Sequence, residues 1–353
     1  LKPDGSFYDA LDQKPNSEDG SKRDLIMKNF FRSILRSQVI GPLAATILVA
    51  FLVAVTTERF LEVNNLRNLA LQVSIVSLIA IGSTVVIFAQ GIDLSPGSMV
   101  ALMTMVFAIS VKFGGIPLPI AILLILLLGS FLGSINGFLT AYVRIPSFIT
   151  TLAGLSAYRG MAFMFNKGSP VFSISDSLDI LFYGKLLGIP LPFFYVVFFF
   201  ALASFVMRYT RLGRHIYAVG GNAPAAQLSG INVKRTQLLS FVIAGLMAAV
   251  ASILMAARLN SGSPNYGVGM ELQAIAAAVI GGASLTGGRG NILSTLFGAL
   301  TIVIVQNGLN LNAVPTSLQN IIIGLIIILA VGIDMWREEI GLIFRRFIPS
   351  RHQ

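Results

Sequence analysis

The stretch LALQVSIVSLIAIGSTVVIFAQGIDLSPGSMVALMTMVFAISV, residues 69–111, decides the fold. Two long apolar runs flank a short polar segment, and Asp93 is the one charged residue in the whole stretch. A membrane-crossing helix needs roughly 17–25 apolar residues, so residues 69–90 form one span and 97–111 a second, shorter one. Between them GIDLSPGS (91–98) offers two glycines, a proline and an acid, a composition that interrupts a helix. Exposed backbone at membrane depth survives only inside protein or beside a water-filled path. The second span is therefore expected to be broken or re-entrant.

The same pattern extends in both directions. Apolar runs recur at about 39–57, 69–90, 97–111, 117–142, 145–165, 191–207, 237–257, 272–286, 291–311 and 317–335. The eighth is short like the third, and it runs into a second glycine-rich stretch, GGASLTGGRG (281–290). The predicted fold class is an all-α polytopic membrane protein of about ten transmembrane helices, with two short or broken helices. Composition agrees: 55% of the 353 residues are hydrophobic and 11% charged, against about 25% charged in a soluble domain. The mean hydropathy is +0.81. Lipid must cover most of such a surface.

The net charge of +10 follows from basic residues gathering on the cytoplasmic side, and no nucleic-acid partner is expected. With ten spans and the N-terminus inside, 18 of the 25 Lys and Arg fall in cytoplasmic segments. Both ends are thus placed inside. Residues 1–38 read as a flexible cytoplasmic tail followed by an interfacial amphipathic helix at 25–38, where Lys28, Arg32 and Arg36 share one face. The alternative is a plain extension of the first span. No short apolar core with a small-residue cleavage site follows the tail, so it is not read as a signal peptide. Residues 39–336 form the permeating domain and 337–353 a cytoplasmic C-terminal tail. No stretch between spans is long enough for a soluble catalytic module.

Enzymatic chemistry has little to work with. There are no cysteines and two histidines, His215 and His352, far apart in sequence. No catalytic residue and no metal site is expected. GGASLTGGRG is not a phosphate loop, because no Lys-Ser/Thr follows its glycines at the required spacing.

Two anchors suggest a weak internal repeat. Gly91, Asp93, Leu94, Ser95 and Gly97 recur as Gly282, Ser284, Leu285, Thr286 and Gly288; Asn136-Gly137 recurs as Asn307-Gly308. The first pair implies an offset of 191 residues and the second about 170, so the halves do not align as one rigid unit. The glycines at which the helices break are Gly91, Gly97, Gly281, Gly282, Gly287 and Gly288.

The inside loop 208–236, RYTRLGRHIYAVGGNAPAAQLSGINVKRT, is basic and dense in small residues. Gly213, Gly220, Gly221 and Gly230 allow close backbone approach. Asn222 ahead of Ala-Pro-Ala-Ala predicts a capped helix over about 223–229. Such a helix either docks into a partner or forms part of a solvated loop.

From this loop onward the sequence resembles the permeases of sugar-type ABC importers, the ribose permease group. The likeness rests on T-R-L-G-R-x-I-Y-A-V-G-G-N-x-x-A-A-x-L-S-G-I-N-V (210–233), G-x-G-x-E-L-x-A-I-A-A (267–277), V-I-G-G-A-S-L-T-G-G-R-G (279–290), Gly298 and N-G-L (307–309). In the first half G-I-D-L-S-x-G (91–97) and Asn136-Gly137 match, so the resemblance covers about 65–335. It implies a permease subunit in a bacterial cytoplasmic (inner) membrane, paired with a second copy or a close relative. It further implies a cytoplasmic ABC ATPase carrying ATP and Mg, a periplasmic or tethered solute-binding protein, and no cofactor in this chain. The coupling loop would comprise Arg211, Gly213, Arg214, Gly220, Gly221, Asn222, Ala225, Ala226, Ser229 and Gly230. Ala223-Pro224 departs from the acidic residue relatives often carry, and Gln273 stands where Asp is common.

The polar residues within the spans are the candidate translocation path: Gln90, Asp93, Ser95, Asn136, Glu271 and Asn307. Each has a structural alternative. Asp93 either lines the conduit with Gln90 and Ser95 or satisfies the broken backbone. Glu271 either shapes the external mouth or is a solvated acid at a helix start. Asn136 and Asn307 either touch solute or hold helices together by hydrogen bonds. The competing function, a self-sufficient secondary transporter or channel, would rest on Asp93 alone.

Overall fold

The computed structural model describes residues 39–347; the interfacial helix expected at 25–38 lies outside them. Helices stand at all ten apolar segments. They are α1 (Ile40–Thr56), α2 (Val63–Phe88), α3 (Pro96–Lys112), α4 (Leu118–Ala141) and α5 (Ser147–Met164), followed by a short α6 (Ile180–Tyr183) and α7 (Leu191–Tyr209). The sixth and seventh long segments are joined by α8 (Arg211–Gly221) and α9 (Ala223–Leu228); then come α10 (Val233–Leu259), α11 (Met270–Ile280), α12 (Ile292–Leu311) and α13 (Thr316–Phe347). Four two-residue strands make two small antiparallel pairs: β1 (Val171–Phe172) with β4 (Ser261–Gly262), and β2 (Lys185–Leu186) with β3 (Ile189–Pro190). The protein is an all-α membrane protein. Among the described residues α2, α4, α7, α10 and α12 are long and apolar enough to cross a membrane.

Burial separates two layers. In its most apolar window α2 is 94% buried within the protein and α10 67%, whereas α4 and α7 are 28% and 22% buried. The outer helices carry exposed large apolar side chains, among them Leu123, Phe131, Phe198 and Phe205. Water would not tolerate so broad an apolar surface; lipid does.

The inner contact between α4 and α10 is made by small residues. Gly129, Gly133 and Gly137, each four apart, face the backbone of Gly245, Phe241 and Leu238. A methyl group on any of them would meet backbone or a packed side chain within 3 Å. Close backbone approach of this kind substitutes in lipid for the hydrophobic drive available in water.

Two boundaries differ from the sequence expectation. Helix α2 begins at Val63, six residues before its apolar run, because Asn64, Asn65 and Arg67 continue the backbone ladder without needing apolar surroundings. The eighth segment, expected to reach residue 286, stops at Ile280. Gly282 there takes φ +85, a left-handed conformation that costs glycine little and ends the helix. At 11 residues α11 is about 16 Å long, half of a bilayer core.

Candidate functional site

Three glycine-bearing segments meet around Gly220. They are the turn after α2 (89–95), the turn between α11 and α12 (281–291) and the end of α8. The Gly288 amide donates to the Phe88 carbonyl at 3.0 Å. Gly220 is wedged so tightly that a methyl group would strike the Phe88 carbonyl oxygen and the Gly288 nitrogen. One on Gly287 would meet the Gly220 oxygen and the Gln90 side chain, and one on Gly288 would meet Gly221. Tyr217 closes the contact: its ring lies 4.9 Å from that of Phe88, and its hydroxyl donates to the Gly290 carbonyl at 3.1 Å. Burial pushes this phenol up to about 12, so it remains a donor at neutral pH.

Beside this junction opens a polar cleft of about 1010 Å³, lined by Gln90, Tyr217, Ser284, Arg289 and Asp334 among others. The Asp334 carboxylate accepts from Ser284 Oγ and from the Leu285 amide, both at 3.3 Å. It thereby ties α13 to the second glycine-rich turn.

Asp93 does not line the cleft. Its Oδ1 accepts from the Ser95 amide at 2.9 Å and from Ser95 Oγ at 2.6 Å. Asn136 Nδ2 donates to Ser95 Oγ at 2.9 Å, and the Tyr158 hydroxyl donates to Asn136 Oδ1 at 3.0 Å. All four residues are buried. They form one closed network joining the broken turn to α4 and α5, with Asp93 Oδ2 left without a partner.

Toward the opposite end, Glu271 in the first turn of α11 lies against Gly97 in the first turn of α3. That position sets its carboxylate at the positive end of a helix dipole. One of its oxygens accepts from the Gly269 amide at 3.3 Å; the other is buried and unpartnered. Arg159 of α5 donates to the carbonyls of Pro264 and Tyr266 at 2.7 and 2.6 Å, clamping the segment that precedes α11. Asn307 is occupied elsewhere: it exchanges reciprocal side-chain hydrogen bonds with Asn65 at 2.9 and 3.0 Å.

This arrangement of half-helix, broken turns and docked loop falls inside residues 65–331, the region matched by the family model described as branched-chain amino acid transport system / permease component. The chain belongs to this permease family. It is 39% identical over 296 residues to the ribose import permease protein of Escherichia coli (strain K12), covering 83% of this chain and 92% of that one. It is 39% identical over 299 residues to the ribose import permease protein of Bacillus subtilis (strain 168), covering 84% and 92%. To the xylose transport system permease protein of Haemophilus influenzae (strain ATCC 51907 / DSM 11121 / KW20 / Rd) it is 35% identical over 353 residues, covering 83% and 94%. No solved structure matches it.

In this permease the loop residues divide by burial. Gly213, Ile216, Val219 and Gly220 are the buried side of α8, three or four apart as one helix face requires. The Gly213 amide donates to the Thr210 hydroxyl at 3.3 Å, capping α8. Asn222 caps α9 by accepting from the Ala225 amide at 3.0 Å, as its place before Ala-Pro-Ala-Ala predicted. Arg211, Arg214, Gly221, Asn222, Ala225, Ser229 and Gly230 are exposed, and Ala226 is buried.

Four contributors were not singled out from sequence: Tyr158, Tyr217, Leu228 and Asp334. Leu228 is 91% exposed at the tip of α9, an apolar side chain held away from the bundle. Tyr158 and Asp334 are polar residues inside apolar runs, a signal of the kind that marked Asp93. Nothing in the sequence tells which partner each will find.

Proposed function

We propose that this chain is the transmembrane subunit of an ATP-driven ABC importer for a monosaccharide or sugar-like solute. A solute-binding protein delivers the solute, and a separate cytoplasmic ATPase supplies the energy. The glycine junction carries this reading. Gly220 and Gly221 sit at the end of α8, next to the protruding α9, and Gly220 is in backbone contact with both broken turns. A push on α9 therefore reaches Phe88, Gln90, Gly287 and Gly288 with no soft side chain in between, since packed interiors transmit displacement. Two such permeases, each with ten spans and both termini inside a bacterial inner membrane, would frame the path. The relatives named as ribose and xylose permeases support the solute class. Asp93, enclosed among Ser95, Asn136 and Tyr158, stands apart from the cleft, which favours this reading over an ion-coupled carrier.

The test is affinity purification from the native host in mild detergent, with Gly221→Trp alongside. A Cβ on Gly221 meets nothing within 4 Å and the residue is exposed, so the variant should fold, as its monodispersity on gel filtration will check, while its indole obstructs the face around α9. Wild type should bring down an ATPase and a solute-binding protein, and the variant should lose the ATPase. A chain that purifies alone and still moves solute without ATP would overturn the proposal.

A further inference from the structure

A second polar cavity, of about 370 Å³, lies on the far side of Gly97 from the glycine junction. Gln72 of α2, Gln273 of α11 and both Gln306 and Asn310 of α12 enter it from three helices; Arg258 at the end of α10 and Asn265 and Tyr266 of the following segment complete the polar lining. Among the described residues, the side-chain amides of Gln72, Gln273 and Gln306 take no hydrogen bond. Gln273 is only 9% exposed. Gln72 and Gln306 are half-buried, so the three amides face the cavity from three helices with donors and acceptors free for whatever enters it.

We infer that this cavity is a transient solute subsite within the permease, selecting a neutral, polyhydroxylated molecule of monosaccharide size. Each amide supplies two donors and an acceptor, which matches vicinal hydroxyls that both give and accept. The Arg258 guanidinium adds donors. No carboxylate lines the space, so cations gain nothing there. The volume is at the small end for ligand pockets, roughly 300–1,000 Å³.

The subsite is mechanically placed. Gly267 lines the cavity and lies directly against Gly97. Gly97 opens α3, just beyond the turn whose other end touches Gly220. A displacement starting at α8 and α9 thus arrives at the cavity floor through backbone contacts.

This inference rests on the importer reading, and its test separates the two. The chain has no cysteine, so Gln273→Cys and Gln306→Cys each introduce a single thiol. The full complex is reconstituted in proteoliposomes with its ATPase and binding protein. It is assayed with radiolabelled D-ribose, D-xylose, D-galactose and myo-inositol. A charged, impermeant thiol reagent added on the binding-protein side should label both cysteines, and the transported sugar should slow labelling. Asn136→Cys, in the closed network, should stay unlabelled. The Gln273→Leu/Gln306→Leu double variant should lose uptake about tenfold, equivalent to ~1.4 kcal/mol, while binding-protein-stimulated ATP hydrolysis continues. Normal uptake in the double variant, with labelling indifferent to sugar, overturns the subsite and leaves the importer standing. A wild-type chain that takes up any of the four without ATP or its partner proteins overturns the importer reading and the subsite together.

Discussion

The two broken turns share a sequence pattern and differ in how each obtains its carboxylate. In the first, Asp93 lies within the motif and accepts from Ser95, its neighbour two residues on. In the second, Ser284 takes the equivalent position and Thr286 that of Ser95; their hydroxyls lie 2.9 Å apart, and the carboxylate comes from Asp334, 50 residues later on α13. Asp93 and Ser95 of the first turn are sealed by Asn136 and Tyr158, with Gln90 alone of that turn reaching the large cleft, while the second turn forms most of the cleft wall. A carboxylate within the turn makes a rigid unit that holds its shape wherever it is carried. One supplied by another helix makes a contact that can separate when that helix moves. The contrast predicts that the first turn keeps its shape while the second can part from its carboxylate.

Four changes and one control, Gly221→Ala, test that contrast. Gly220→Val should have the largest effect, since its branched side chain collides with backbone of both turns at once. Overpacking costs about 1–3 kcal/mol where neighbours can shift, and backbone cannot, so the monodisperse yield on gel filtration should collapse. Gly221→Ala, with open space around it, should behave as wild type. Equal yields from the two would mean the junction is not close-packed.

Asp93→Ala comes next. It strips the Ser95 amide and hydroxyl of their acceptor inside a closed site, and should cost about 1–3 kcal/mol, read as a lowered melting temperature in detergent. Tyr158→Phe removes a single donor to Asn136 from the same network and should cost roughly 1 kcal/mol by the same measurement.

Asp334→Ala should be the mildest, about 0.5–1 kcal/mol or less, because its two bonds are long and border a cleft where water can replace the lost acceptor. Its signature should be local: faster hydrogen exchange at the Leu285 amide, with the melting temperature nearly unchanged. A loss as large as that of Asp93→Ala would erase the distinction between a fixed and a mobile turn.

Several of these features were visible in the sequence. The break at Gly91–Gly97, the second break at Gly281–Gly290 and the Asn222 cap each follow from local chemistry: left-handed glycine, a proline in the first turn, an amide oxygen within reach of backbone nitrogens three residues on. Partners were not visible. Asn136 and Asn307 look alike in sequence, each followed by glycine, yet one braces Ser95 and Tyr158 while the other pairs with Asn65 across 242 residues. Glu271 was legible as an acid at a helix start, which it is, but not its neighbour: it rests against Gly97.

The sequence by itself determined the solvent and the secondary structure. Apolar run length and charge scarcity allow only membrane-buried helices, because lipid leaves backbone groups no partner except one another. Tertiary structure alone decided which polar groups are closed in and which face open space. Gln90, Asp93, Gln273 and Gln306 are similar polar interruptions of apolar runs. Their different surroundings, a cleft wall, a sealed network and a polar cavity, arise from which helices happen to face them. Packing of small residues sets that arrangement over distances that no local pattern records.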